Sequence, residues 1–147
     1  MEQNTAKNFF KKEEQEKIVR AIQQAESQTS AEIRLHIDTK TKLTALDRSA
    51  YLFKQLDMHK TAARNGVLLY MAIKNKQFAI IGDAGIHQYV KDEFWENCKE
   101  EVLAEFKNGN FLKGITECIT KVGNALKEHF PRQVGDKNEL PDELSFD

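Results

Sequence analysis

At 147 residues the chain has the length of one ordinary domain, enough to bury roughly two-thirds of its unfolded surface. Hydrophobic residues make up 40% and charged residues 31%, a soluble globular balance, and 23 acids stand against 22 bases. That even charge excludes a dedicated nucleic-acid binder, whose phosphate contacts require a basic surplus.

The opening MEQNTAKNFFKKEEQ lacks the apolar core of a signal peptide. The longest apolar run, Val67 to Ile73, is far shorter than the roughly 20 residues that span a bilayer. A cytoplasmic monomer with no membrane span is the expectation. Cys98 and Cys118 form no CxxC pair and fall at apolar helix positions, so both read as buried thiols.

In chain order, the first helix is predicted over Lys12 to Gln28, with Ile18, Ala21, Ile22 and Ala25 at helical spacing. After Thr29-Ser30 the pattern alternates: Ala31, Ile33, Leu35 and Ile37 face one way, Glu32, Arg34 and His36 the other. That predicts a strand at 31–37 with one drier face. Thr44 is the expected N-cap of a second helix, with Asp47 three residues on and Ala45, Leu52, Phe53 and Leu56 inward.

Gly66 to Ile73 is nearly all apolar, as in a central strand covered on both faces, and a short turn joins it to a strand at 78–81 as a hairpin. Phe94, Trp95, Cys98, Val102, Leu103 and Phe106 mark a third helix, where the aromatic stripe reads as core packing. Asn108-Gly109-Asn110 ends it. A last helix runs from about Leu112 to His129, and Pro131 stops it.

The acidic tail from Arg132 is either solvated or tied down by Leu140, Leu144 and Phe146, and 144–146 is the candidate fourth strand. Residues 1–10 and 132–147 are read as peripheral arms of one domain. The order of elements predicts an α/β fold, a three-layer αβα sandwich with a mixed sheet of about four strands.

That topology has a chemical consequence. A helical crossover makes the first two strands parallel, and the hairpin reverses the third. The starts of strands one and two and the end of strand three then share one edge. Glu32, Asn65, Asp83 and Asp92 belong to that edge or follow it directly. Carboxylates and amide oxygens suit a hard cation such as calcium, which takes six to eight oxygen ligands.

Each residue also has an ordinary structural role open to it. Asp83 can cap a turn, Asn65 can hold its own loop, Asp92 can cap a helix, and Glu32 can be the polar side of a strand. Arg64 can hold an anion at this edge or simply pair with an acid. His36, His59, His87 and His129 lack the HExxH spacing of a zinc site, and there is no GxSxG elbow, P-loop or GxGxxG.

Three stretches resemble a known family: Thr29-Ser-Ala-Glu-Ile33, Thr61-Ala-Ala-Arg-Asn-Gly-Val-Leu-Leu69 and Ile81-Gly-Asp-Ala-Gly-Ile86. Phe94-Trp95, Phe106 with Gly109, and Asn138-Glu-Leu-Pro-Asp-Glu143 extend the match. Together they are similar to the TPM domain, shared by thylakoid-lumen proteins of photosystem repair, a nematode acetylcholine-receptor auxiliary protein and many bacterial proteins. The resemblance runs from about Phe9 to Phe146 and implies an αβα sandwich of about four strands.

The resemblance further implies a divalent ion, Ca2+ or possibly Mg2+, near the loop edge. Asp92 stands where the family has an acidic residue, Asn65 where it has Asn or Asp, Glu32 where Glu or Gln is common, and Asp83 matches the bacterial branch. The function expected is divalent-metal binding that clips adjacent loops in a structural or regulatory role. A metal-assisted phosphatase ranks second, since a bound cation can clamp a phosphoryl group, although no Cys-x5-Arg loop or paired-aspartate nucleophile motif is present. A metal-independent protein-interaction module ranks third. No catalytic residue is assigned, and no protein partner is identified.

Overall fold

The periodicities resolve into strands and helices close to the predicted bounds. The computed structural model describes residues 5–132 and 143–147. The elements are α1 (Ala6–Phe9), α2 (Lys12–Glu26), β1 (Glu32–Asp38), α3 (Ala45–Gln55), β2 (Gly66–Ala72), β3 (Gln77–Gly82), α4 (Ala84–His87), α5 (Asp92–Lys107), α6 (Phe111–His129) and β4 (Leu144–Phe146). A 3-10 turn at Met58–Lys60 lies between α3 and β2. Thr44 caps α3 as expected, its Oγ1 accepting from the Asp47 N–H at 3.1 Å.

The four strands form one sheet in the order β3-β2-β1-β4. β1 and β2 run parallel from the Glu32–Gly66 pair to the Asp38–Ala72 pair, and β2 and β3 are antiparallel from Val67–Gly82 to Ala72–Gln77. β4 pairs parallel with β1, Leu35 opposite Leu144, which places the fourth strand where the tail suggested it. The motif at 138–143, apart from Glu143, and Leu140 lie outside the described residues.

Alternation along β1 and β2 divides the core between two faces. Ile33, Leu35, Ile37, Val67, Leu69 and Met71 pack with α2, α5 and α6. Leu68, Tyr70 and Ala72 pack on the opposite face with Leu52 and Phe53 of α3 and with Met58. Helices on both faces of a mixed sheet make an αβα sandwich. Where α2 crosses α6, a Cβ added at Gly123 would lie 2.6 Å from that of Ala25, so glycine permits the close approach.

Two expectations need correction. β1 has no wet face: Glu32, Arg34, His36 and Asp38 are 2–4% exposed, as dry as the aliphatic row behind them. Pattern alone marks polar residues as outward, but here α3 and the tail segment supply partners that allow part of this row to be buried. Residues 5–10, read as part of a peripheral arm, also contribute to the core, because Ala6 and Phe10 are buried.

Candidate functional site

Polar residues gather at both ends of the sheet. At the amino-terminal end of β1 and β2, the loop before β2 and the loop after β3 close on each other. The Asp83 N–H donates to the Gly66 carbonyl and the Gly85 N–H to the Arg64 carbonyl, both at 2.9 Å. A Cβ at Gly85 would lie 2.3 Å from the Ala63 carbonyl oxygen, so the loops meet at a contact that only glycine allows. Arg64 itself sits at φ +52°, the left-handed region that is strained for a side chain of its size.

Asp83 is buried and fully engaged. Its Oδ1 accepts from the Ala84 N–H at 2.7 Å, capping α4, and both oxygens accept from Arg64, at 2.8 and 2.9 Å. The cap and the anion-holding arginine, left open by the sequence, are thus realised in one ion pair. Arg64 is 54% exposed, so water screens that pair and its guanidinium has room to leave.

Asn65 is 1% exposed. Its N–H donates to Thr61 Oγ1 at 3.0 Å and its Nδ2 to Ser30 Oγ at 3.2 Å. Its Oδ1 is buried with no hydrogen-bond partner, an arrangement that costs about 1–3 kcal/mol unless something fills it.

Glu32 lies at the same end beside a second buried carboxyl, Glu26, whose Oε2 accepts from the Ile33 N–H at 2.7 Å. Burial pushes the Glu26 carboxyl up to about 8 against the opposing Ile33 hydrogen bond, and the negative charges of Glu32 and Glu143 and a hydrogen bond with Glu32 add to the rise. Near neutral pH this pair therefore shares a proton. Sequence reasoning missed Glu26 because it reads as an ordinary polar residue in the last turn of a helix. Asp92, the first residue of α5, is exposed, and its side chain makes no hydrogen bond or ion pair among the described residues.

The opposite end, where β1 and β4 finish, carries a different set. His36 Nε2 lies 3.1 Å from Asp38 Oδ1 and 3.3 Å from Asp147 Oδ2, while its Nδ1 lies 2.7 Å from Ser145 Oγ. His36, Asp38 and Asp147 form the group of three metal-capable side chains found among the described residues; Glu32, Asp83 and Asp92 do not come together as such a group. One imidazole nitrogen and two carboxylate oxygens at these separations suit a zinc-like ion better than calcium.

Arg48 already answers both carboxylates, however, with Nε 2.7 Å from Asp38 Oδ2 and Nη2 3.2 Å from Asp147 Oδ2. The Tyr70 hydroxyl donates to Asp38 at 2.5 Å. Burial raises the Asp38 carboxyl, but the bonds from His36, Arg48 and Tyr70 outweigh it and hold the group well below the usual carboxylate range. Arg48 thus brings a cation of the protein's own to this end. His36 read in sequence only as the polar side of a strand, and Asp38 fell just outside the strand predicted at 31–37; Asp147 and Arg48 gave no signal, because only folding brings them there.

Cys98 and Cys118 are free, buried thiols on α5 and α6, as their spacing predicts. No helix among the described residues is long and apolar enough to cross a membrane.

With this geometry in view, comparisons with known proteins are informative. The TPM domain model matches residues 4–125, more than half of the chain. The solution structure of BA42, from the psychrophilic bacterium Bizionia argentinensis, superposes with a TM-score of 0.88 at 40% identity, covering 95% of this chain and 97% of that one. The N-terminal domain of a protein from P. gingivalis shares the fold alone, with a TM-score of 0.69 at 15% identity over 86% of this chain and 83% of that one. A comparison with curated proteins found no match. The chain belongs to the TPM domain family.

Proposed function

We propose that this TPM domain binds a divalent cation, calcium foremost, at the amino-terminal end of β1 and β2. The ion acts there as a clip on the start of β1 and the two loops that close at Gly85. The observation that carries this reading is the buried Oδ1 of Asn65, an acceptor without a donor at an end that also buries Glu26 and Glu32. An orphaned acceptor and two carboxyls that raise one another, all at one end of the sheet, are relieved together by added positive charge. A hard cation supplies that charge, and the all-oxygen donor set fits calcium or magnesium rather than a thiol- or imidazole-seeking metal.

Glu32, Asn65 and Glu26 are the ligands this reading favours. Asp83 joins them when Arg64 swings out towards solvent, and Asp92 is the candidate that completes the shell from α5. The ion must displace the proton held by the Glu26–Glu32 pair, so affinity rises with pH up to about 8.

Calorimetric titration of the protein with calcium, repeated in buffers of different ionisation heat, tests this. The expected result is saturable binding with release of up to about one proton near pH 7. Glu32→Gln and Asn65→Leu should each weaken binding at least about tenfold, on the scale of losing one ligand or its support. Arg64→Ala separates Asp83 as ligand from Asp83 as cap: freed of its arginine, a ligating Asp83 binds calcium several-fold more tightly. Heats that vanish in wild type, or that are insensitive to Glu32 and Asn65, overturn the reading.

A further inference from the structure

A cavity of about 500 Å3 opens far from the acidic end, between α1, the close of β2 and the junction of α5 with α6. Its walls are aromatic and aliphatic. Phe9 and Phe111 meet edge to face with ring centres 4.9 Å apart, Phe106 tilts against Phe111 at 5.1 Å, and Met71 contributes to the lining. All three phenylalanines are only partly buried, so their rings leave apolar surface turned to the cavity. The volume lies within the range of about 300–1,000 Å3 typical of small-ligand sites.

The charged lining is of one sign. Lys76 and Lys107 line this cavity and no acidic residue does. Both lysines are exposed, and neither is in an ion pair among the described residues, whereas Lys113 and Lys121 in neighbouring clefts pair with Glu105 and Glu101. Lys76 is fixed at the β2–β3 turn with φ +55°, its N–H directed to the Ile73 carbonyl. The position is the carboxyl end of the parallel strand pair β1–β2, the side of an α/β sheet on which ligands ordinarily sit.

We infer that this cavity binds a free amphipathic carboxylate, an alkyl or aryl chain seated among Phe9, Phe106 and Phe111 with its carboxylate between Lys76 and Lys107. The apolar wall supplies most of the affinity and the lysines set the sign of the headgroup. The site shares no residue with the acidic end, so it stands or falls independently of cation binding.

The test is a backbone amide NMR titration of the full chain with octanoate, decanoate and dodecanoate below their micellar concentrations, with decan-1-ol and decyltrimethylammonium as controls. Saturable shifts should cluster in α1, around Met71 to Lys76 and at Leu103 to Phe111, and Kd should tighten up to about fourfold per added methylene. Decanol should bind at least tenfold more weakly than decanoate. The surface double variant Lys76→Glu, Lys107→Glu, which leaves the packed walls untouched, should lose at least tenfold for decanoate and gain affinity for the ammonium. Absence of saturable shifts, equal affinity for alcohol and acid, unchanged decanoate binding in the double variant, or binding to anionic phospholipid vesicles without decanoate binding would each overturn the inference.

Discussion

The two ends of β1 handle buried charge in opposite ways. At its carboxyl end Asp38 meets Arg48, His36 and the Tyr70 hydroxyl, so the carboxylate is compensated within the chain. At its amino end Glu26 and Glu32 are buried against each other, and the nearby Asn65 Oδ1 accepts nothing. The first arrangement is a finished clasp that ties α3 and the tail strand to β1. In the second the carboxyls raise one another and Glu26 holds a proton, and that difference suggests the proposed cation site.

The comparison breaks most visibly at the clasp. Arg48→Ala leaves a buried Asp38 carboxylate without its cation and should lower stability by about 3 kcal/mol, read from urea unfolding at pH 7. The Asp38 contribution has a defined pH sign. Its folded-state value is depressed, so the stabilisation is present above the unfolded value near 4 and is lost as pH falls below that. Wild type should therefore weaken in acid more steeply than Arg48→Ala does. Equal acid slopes would mean that Arg48 does not hold the Asp38 charge.

At the other end the sign reverses. Glu26 is raised in the folded state, so its contribution is intact below about 4.5 and declines as pH rises towards about 8. In chelator, stability should fall by up to about 1.4 kcal/mol per pH unit across that window. Glu26→Gln, which keeps the shape and removes the charge, should flatten the slope. A pH-independent wild type would contradict the shared-proton pair.

Gly85→Ala probes the loops that the cation is proposed to clip. The added Cβ meets the Ala63 and Arg64 carbonyl oxygens at 2.3 and 2.7 Å, so one loop must move. Overpacking of this kind costs about 1–3 kcal/mol, and calcium affinity should drop with it. The smallest effect is expected at Lys121→Ala on the α5–α6 surface, where an exposed pair with Glu101 is lost: within about 0.5 kcal/mol. A large loss there would show that the helix pair depends on surface charge rather than on Cys98, Cys118, Val102 and Ile119 beneath it.

Most of the fold was legible because the burial pattern and the element boundaries depend on local periodicity. Ile33, Leu35 and Ile37 alternate, Ile115, Cys118, Ile119 and Val122 recur three and four apart, and Thr44 announces its helix. The shared edge of the sheet also followed from topology, and Gly66 and Gly82 do flank Val67 there as the hairpin requires. What escaped was the nature of the buried polar row on β1. Glu32, Arg34, His36 and Asp38 look like a wet face because alternation carries polarity but not partners. Arg48 arrives from 10 residues away and Ser145 from 109, and Asp147 lies farther still along the chain from His36. Glu26 was hidden for the same reason, since a glutamate ending a helix reveals nothing about the carboxylates that fold beside it.

The central claim is the proposal that the amino end of β1 and β2 binds one divalent cation. Thermal unfolding of the wild-type chain at pH 7, in chelator and in calcium at about a hundredfold excess over its calorimetric Kd, tests it most directly. Calcium that binds the folded chain and not the unfolded one should add about 2.7 kcal/mol, and Glu32→Gln should abolish the difference. Melts that coincide with and without calcium, together with a titration that evolves no heat, would contradict the account.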